Sequence, residues 1–248
     1  MEVIIPQKIY GDRSGFNKLN KRLKSLIGDL DVNWKISITT RQWVKITLEG
    51  EDEEISMNLI REEWGEIPYS LSNINEGDVF FGRLIDLGKV GYGIYVDIGI
   101  LKPRPKDALV PLYWLKRTFG EKPVRQMIRE FGWVDYLPVE IRIEKVERLA
   151  QEIEAYFTER WIKKIKGWTS DKYDKLFIVG TISENVERAL VETGHSRDVR
   201  RIEELGLMET MLILKKGTHA PGIIKEIGPY IKPAKIGAIK FPRDEGER

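Results

Sequence analysis

The sequence predicts an α+β protein: a central five-stranded OB-type β-barrel flanked by two small α/β domains. Three observations predict it. First, five short strand-like stretches occur at about 78–87, 92–98, 107–111, 138–147 and 152–158, and two helical segments, 112–119 and 124–131, are inserted after the third. Five short strands with a helical connection after the third is the order of such a barrel. Second, glycines bound and interrupt Gly91-Tyr92-Gly93-Ile94-Tyr95-Val96-Asp97-Ile98-Gly99. Glycine gives the bends and close backbone approach that a small closed barrel needs at its corners. Third, the chain on either side mixes helical and strand periods.

The first unit spans 1–70. Residues 2–10 read as a strand. A helix follows over 14–28, because Phe16, Leu19, Leu23, Leu26 and Ile27 recur at spacings of three and four with lysines opposite. Ser14 suits its N-cap and Gly28 its stop. Trp34, Ile36 and Ile38, then Trp43, Val44, Ile46 and Leu48, alternate with polar neighbours as two strands. The acidic run Gly50-Glu51-Asp52-Glu53-Glu54 suits a helix N-terminus. Residues 55–64 fit both periods: Ile55, Met57 and Leu59 alternate, whereas Ile55, Leu59 and Ile60 with Arg61-Glu62-Glu63 suit a helix, which is favoured. The unit is therefore β-α-β-β-α.

The polar, turn-rich segment 68–75 marks a boundary, and the barrel domain takes 75–158. In its fourth strand Val139, Ile141 and Ile143 alternate with Glu140, Arg142 and Glu144, and Ile153, Ala155 and Phe157 repeat the pattern in the fifth. A linking helix is predicted over 159–172, carrying Trp161, Ile162, Ile165 and Trp168. The last unit, 173–242, begins with the strand Leu176-Phe177-Ile178-Val179. A helix from Ser183 carries Val186, Ala189 and Leu190, and a second is predicted around Val199, Ile202 and Leu205. A strand over 208–214, a helix over 220–231 and a strand over 234–239 complete a β-α-α-β-α-β module. Residues 243–248 form a charged tail. No internal repeat of fixed period occurs.

Composition bounds the function. Hydrophobic residues make up 42% and charged residues 32%, so the 248-residue chain is no disordered segment and buries a substantial core. No apolar run reaches the length of a membrane span, and the start, Met1-Glu2-Val3-Ile4-Ile5-Pro6-Gln7, has neither basic leader nor long apolar segment, so a cytoplasmic location is expected. The absence of cysteine removes disulfides, thiol nucleophiles and thiolate metal sites together. Heavy Lys, Glu and Arg use without cysteine is the bias of thermophilic proteins. A net charge of +2 argues against a bulk polyanion binder. Local clusters at Lys18-Lys21-Arg22-Lys24, Lys102-Arg104-Lys106 and Lys163-Lys164-Lys166 suit phosphates or, on a chain this charged, plain solvated faces.

The aromatics Tyr92 and Tyr95, three apart in a glycine-bounded strand, either stack on unpaired bases or simply cover a sheet. Around them Gly77-Asp78-Val79, Gly82-Arg83-Leu84, Tyr92-Gly93-Ile94-Tyr95-Val96-Asp97-Ile98-Gly99, Ala108-Leu109-Val110-Pro111-Leu112-Tyr113-Trp114-Leu115 and Val139-Glu140-Ile141-Arg142-Ile143 follow one another. This segment resembles the ribosomal protein S1 RNA-binding module, a five-stranded OB barrel. The resemblance implies that Tyr92 and Tyr95 contact RNA bases, as two aromatics three apart do in that family. The family's histidine after the third strand is Pro111 here, and its short connection there is enlarged by 123–133. The whole chain also resembles an uncharacterised archaeal protein family through Thr193-Gly194-His195-Ser196-Arg197-Asp198 and Lys215-Lys216-Gly217-Thr218-His219-Ala220-Pro221-Gly222. That resemblance implies archaeal origin and no particular activity.

On this reading Arg83, Lys89, Lys102, Arg104, Lys106 and Arg142 supply phosphate contacts. The alternating prolines of Lys102-Pro103-Arg104-Pro105-Lys106 either hold three cations outward or merely stiffen a connection. Lys215, Lys216, Gly217 and Thr218 run from a strand into a helix and suit a phosphate; the plainer reading is an N-cap by Thr218. The two histidines, His195 and His219, lack metal-ligand spacing, and a capping or surface role for His195 is favoured over a metal site with Asp198. No nucleophile elbow occurs. The expectation is an RNA-binding protein of translation or RNA processing, not an enzyme, without cofactor, metal or membrane, its partner RNA, a ribosomal subunit or an RNA-processing complex. A protein-docking subunit of a transcription or exosome-like assembly is the alternative, and a nucleotide-binding enzyme is a third.

Overall fold

The computed structural model describes residues 1–170 and 173–240. The predicted tail, 243–248, lies outside the described residues, as do the last two positions of the predicted linking helix and the last two of the C-terminal module.

The N-terminal domain comprises β1 (Glu2–Lys8), α1 (Arg13–Ile27), β2 (Asn33–Ile38), β3 (Trp43–Glu49) and α2 (Glu53–Trp64). Its three strands lie antiparallel in the order β1-β3-β2. Leu19, Leu23 and Ile27 of α1 and Ile60 of α2 bury against Val3, Ile5, Val44, Ile46 and Leu48 of the sheet. Each such side chain taken from water contributes roughly 1.5–3 kcal/mol. The N-cap of α1 is Asp12, whose side chain accepts the Ser14 backbone N–H at 2.9 Å, so the cap sits two residues before the expected Ser14. The ambiguous segment is helical: Ile60 faces the core while Ile55 stays exposed.

The centre is a closed barrel of β4 (Val79–Ile85), β5 (Gly93–Ile100), β6 (Lys106–Pro111), β7 (Pro138–Glu147) and β8 (Glu152–Phe157), joined in the order β4-β5-β6-β8-β7. Neighbours are antiparallel except β6 and β8, which meet in parallel at Leu109 and Glu154. That is the OB strand order. Inward residues Leu84, Ile94, Val96, Ile98, Val110, Val139, Ile141 and Phe157 fill it. Gly93 is required by close approach, since a Cβ there would lie 2.5 Å from the Val110 carbonyl oxygen. After β6 come α3 (Leu112–Phe119) and α4 (Val124–Glu130). Phe119, Phe131 and Trp133 close the barrel's base on Phe157, the Phe119–Phe131 centroids lying 4.9 Å apart.

α5 (Glu159–Ser170) carries the core onward: Trp161 meets Trp168 edge-on at 5.7 Å, and Trp168 meets Phe177 at 5.2 Å. The C-terminal domain is β9 (Lys175–Val179), α6 (Ser183–Glu192), β10 (Val199–Glu204), β11 (Glu209–Leu214), α7 (Ala220–Ile227) and β12 (Lys235–Ile239). Its antiparallel sheet runs β10-β11-β9-β12, the split β-α-β arrangement of ferredoxin-like folds. The segment around Val199 and Ile202, expected as a helix, is therefore a strand. A bulge between Val199 and Arg201 puts two apolar residues three apart on one face, which mimics helical spacing.

Both faces of this sheet are covered. Leu176, Ile178, Leu212 and Leu214 pack under α6 and α7, while Phe177, Met211, Ile213 and Ile239 join the barrel's core. Leu207 and Met208 in turn enter the N-terminal core.

Candidate nucleic-acid interface

Tyr92 precedes β5 and Tyr95 points outward from it. Tyr92 is 55% exposed and Tyr95 half-buried. Their rings meet edge to face at a centroid distance of 6.3 Å and 88°, with the hydroxyls 2.8 Å apart. Donating its hydroxyl to Tyr92 holds the Tyr95 phenol in its neutral form, with its pKa pushed up to about 12. This geometry fixes one ring against the other and leaves Tyr92 open to solvent. Another exposed tyrosine, Tyr113, lies in the first turn of α3, where the Leu112 N–H donates to the Tyr92 carbonyl at 2.7 Å. The fold thus ties the start of α3, which carries Tyr113, to the backbone of Tyr92, while the Tyr113 phenol itself lies near Glu154 and Glu144.

The aromatic surface is short. The next outward residue of β5, Asp97, is buried beneath the N-terminal domain. It accepts from Lys8 Nζ at 2.7 Å, Trp43 Nε1 at 3.2 Å and the Gly99 N–H at 3.0 Å. Lys8 lies 4.5 Å from the Trp43 ring centroid, and burial lowers its pKa against the opposing pull of Asp97. Above this junction a cleft of about 400 Å³ is lined by Lys8 and Arg41 and by four carboxylates, Asp86, Asp97, Asp107 and Asp135. Burial raises the Asp107 carboxyl, with Arg41 pulling the other way. Phosphates are repelled by such a lining.

Arg83 corrects the expectation made of it. It lies opposite Asp97 in the β4–β5 pair and is 2% exposed. Its Nε donates to Glu209 Oε1 at 2.8 Å and its Nη2 to the Pro6 carbonyl at 3.2 Å, while Tyr10 donates to the same Glu209 oxygen at 2.6 Å. Arg83 is a clamp among three domains and no phosphate reaches it. Alternation made it outward-facing; the domains packed over it made it buried.

The other cations scatter, all exposed but the half-buried Lys106. Lys89 pairs with Asp86 at 2.6 Å in the loop leading to Tyr92. Lys102 stands 5.2 Å from the Tyr69 ring centroid, and Arg104 donates to Gln151 at 2.6 Å, so the proline-cation loop touches the turn between β7 and β8. Lys106 begins β6, three residues before Leu109, the partner of Tyr95. Arg142 sits on β7, across β4 from the tyrosines, and donates to the Gly77 carbonyl at 2.7 Å.

The loop with Lys215, Lys216, Gly217 and Thr218 is a tight turn in which the Thr218 N–H donates to the Lys215 carbonyl at 3.1 Å. The Thr218 hydroxyl reaches the Asp198 carbonyl at 3.4 Å instead of capping α7, whose N-cap is His219. His195 is bonded on both sides, by Asp198 at 2.7 Å and Glu226 at 3.1 Å, and the Asp198 bond raises its pKa. Among the described residues no group of three acidic or imidazole side chains is placed to hold a metal ion, and no helix is long and apolar enough to cross a membrane.

Three models of one family match the chain: the DUF2110 N-terminal domain over residues 2–70, the DUF2110 central domain over 74–169 and the DUF2110 C-terminal domain over 173–239. Among solved structures, the chain is similar to GSP13 from Bacillus subtilis at 18% identity and a TM-score of 0.26, over 34% of this chain and 55% of GSP13. It is similar to the intact alpha subunit of aIF2 from Pyrococcus abyssi at 10% identity and a TM-score of 0.25, over 69% of this chain and 98% of that one. The chain thus spans about half the length of the first of these. No curated protein matches it.

Proposed function

The chain belongs to the DUF2110 family, and we propose that it is an RNA-binding protein, acting by binding and not by catalysis. The observation that carries this reading is the exposed ring of Tyr92 braced edge to face by Tyr95 on the outer wall of a closed OB barrel. A braced ring loses little freedom when a base stacks on it, and such stacks contribute roughly 1–3 kcal/mol per base. Because Asp97 is roofed by Trp43, the platform takes one or two bases and not a long tract. Lys89, Lys102, Arg104 and Lys106 stand on its flanking loops and strand end and reach the backbone of a strand leaving the platform. Arg142 serves a different face, and Arg83 none. The role is in translation or RNA processing, in a cytoplasmic and archaeal, thermophilic setting.

A second reading has an observation of its own. Asp107 and Glu152 act on the Tyr95 phenol, and Glu144 and Glu154 on the Tyr113 phenol, so carboxylates ring the aromatic surface. Such a ring suits a basic protein segment, with the tyrosines as anchors. Filter-binding with a labelled single-stranded oligonucleotide at several salt concentrations separates the two. RNA binding that weakens with salt and is lost in Tyr92→Ala/Tyr95→Ala supports the first. Unaltered binding in that double variant removes the tyrosines from the interface.

A further inference from the structure

A second face of the molecule is basic and aromatic together, and none of the residues above that touch the tyrosine platform belongs to it. In β4, Val79 and Phe81 point outward and are each 42% exposed, an unusual state for two large apolar residues on one strand. Phe80 beside them turns inward, as alternation requires. Val79 pairs with Arg142 across β7, and the Arg160 guanidinium of α5 lies 5.7 Å from the Phe81 ring centroid. Arg160 is held there by the carboxylate of Glu140, the β7 partner of Phe81. The guanidinium is nonetheless 72% exposed, so it presents its charge outward beside an open ring.

The same helix continues the charge. Lys163 and Lys166 lie on the exposed side of α5, while Trp161, Ile165 and Trp168 are buried beneath it. Lys164 crosses to the C-terminal domain and pairs with Glu203 of β10 at 3.2 Å. Arg201 holds the other oxygen of Glu203 at 3.1 Å. Next to it Arg200 stacks on Tyr173, 4.6 Å from the ring centroid. A continuous strip therefore runs from β7 and β4 over α5 to β10. Two carboxylates along the strip, Glu140 and Glu203, are each clamped by its cations, and Glu159, the first residue of α5, is exposed beside Arg160. Lys163 and Lys166 have no carboxylate partner among the described residues.

We propose that this strip is a second RNA-binding face: the cations of α5 and β10 follow the phosphate backbone and Phe81 receives one unpaired base. Cations in a row at helical and strand spacing match a polyanion of regular charge spacing. An exposed ring with a guanidinium over it is a stacking platform for any base, because every base has a π-face. Evenly spread negative charge on a folded protein does not supply that flat partner for Phe81, so a nucleic acid fits the face better than an acidic protein does. The inference rests on the reading that the chain binds RNA, but it is carried by different residues.

The test is a salt-dependent titration of the full chain with a fluorescent oligouridine. Wild type is compared with Lys163→Gln/Lys166→Gln, Lys163→Arg/Lys166→Arg, Phe81→Ala and Tyr92→Ala/Tyr95→Ala. Removing two phosphate contacts lowers the salt slope of log K by about 1.4, at about 0.7 per single-strand phosphate, and the arginine variant keeps the wild-type slope. Phe81→Ala weakens binding about 5- to 150-fold at an unchanged slope, the span of one lost stack. Wild-type binding that neither glutamine variant nor Phe81→Ala alters overturns this face while leaving the tyrosine platform standing. No binding by wild type at any salt overturns both. Displacement of the RNA by polyglutamate of matched charge, as efficient as by unlabelled oligouridine, assigns the strip to acidic protein and overturns it as an RNA face. Lys163, Lys166, Phe81 and Tyr92 are exposed and Tyr95 is half-buried, so equal unfolding midpoints by circular dichroism check that each variant folds.

Discussion

Neutralising Glu209 by Glu209→Gln strands a buried charge without changing side-chain shape. In the folded chain the Glu209 carboxylate is fully buried, and its Oε1 receives both Arg83 Nε, at 2.8 Å, and the Tyr10 hydroxyl, at 2.6 Å. Burial acts to lower the Arg83 pKa, but the charge of Glu209 outweighs it and the guanidinium stays protonated. Glutamine keeps the volume and removes the anion. Breaking a buried pair by one partner costs about 3–5 kcal/mol, because the remaining ion is left uncompensated. At about 2–4 °C per kcal/mol for a chain of this size, the melting midpoint falls by roughly 6–20 °C. The assay is urea and thermal unfolding followed by tryptophan fluorescence, since the Trp43 ring lies 5.6 Å from the Arg83 guanidinium and reports the junction. The double variant Arg83→Met/Glu209→Met removes both charges and should lose much less than the two single changes summed. Arg61→Ala, which breaks the exposed pair with Glu66, serves as the reference and should cost under about 1 kcal/mol. If Glu209→Gln moves the midpoint no further than Arg61→Ala, the junction is not an electrostatic clamp.

Barrel closure makes two neighbouring glycines unequal. Gly93→Ala must push on the Val110 carbonyl and should cost about 1–3 kcal/mol, whereas Gly91→Ala meets nothing within 4 Å and should leave the urea midpoint nearly unchanged. Ultraviolet titration should find one phenol ionising near 12, that of Tyr95, and Tyr92→Phe should return it toward the ordinary value near 10. The raised pKa means that the neutral phenol is favoured by folding, so stability is intact below about 10 and falls as pH rises toward 12. His195 works in the same direction at lower pH. Its folded pKa is raised by Asp198, so its contribution is full below about 6.5 and is lost as pH climbs through the raised value. His195→Asn should flatten the pH dependence of the melting midpoint across that window, and an unchanged profile would show that the two carboxylates do not hold a charged imidazole.

Where a segment was misread, a specific tertiary feature explains it. Val199 and Ile202 sit at helical spacing only because a bulge in β10 inserts one residue into the alternation, and a bulge is set by pairing with β11. The exposure of Tyr92 was legible, since an aromatic between two glycines at the edge of a strand has little to pack against. Phe81 was equally legible in principle: in Phe80-Phe81, alternation sends one ring out. Arg160 became its neighbour through the fold, because α5 lies across strands that are distant in sequence.

The alternation of Val139, Ile141 and Ile143 and the glycines around Tyr92 determined, by themselves, five strands, their inward residues and an α+β chain with a barrel at its centre. Local periodicity carries that much because each side chain's direction follows from backbone geometry. What lies above an outward residue is decided elsewhere. Lys8 and Asp97 are 89 positions apart, and Arg83 and Glu209 are 126 apart, yet each pair closes a junction between domains. Only packing of the three domains turned two outward charges of the barrel into buried clamps and left Tyr92 in water, because charge burial is stable only where a distant partner arrives to compensate it.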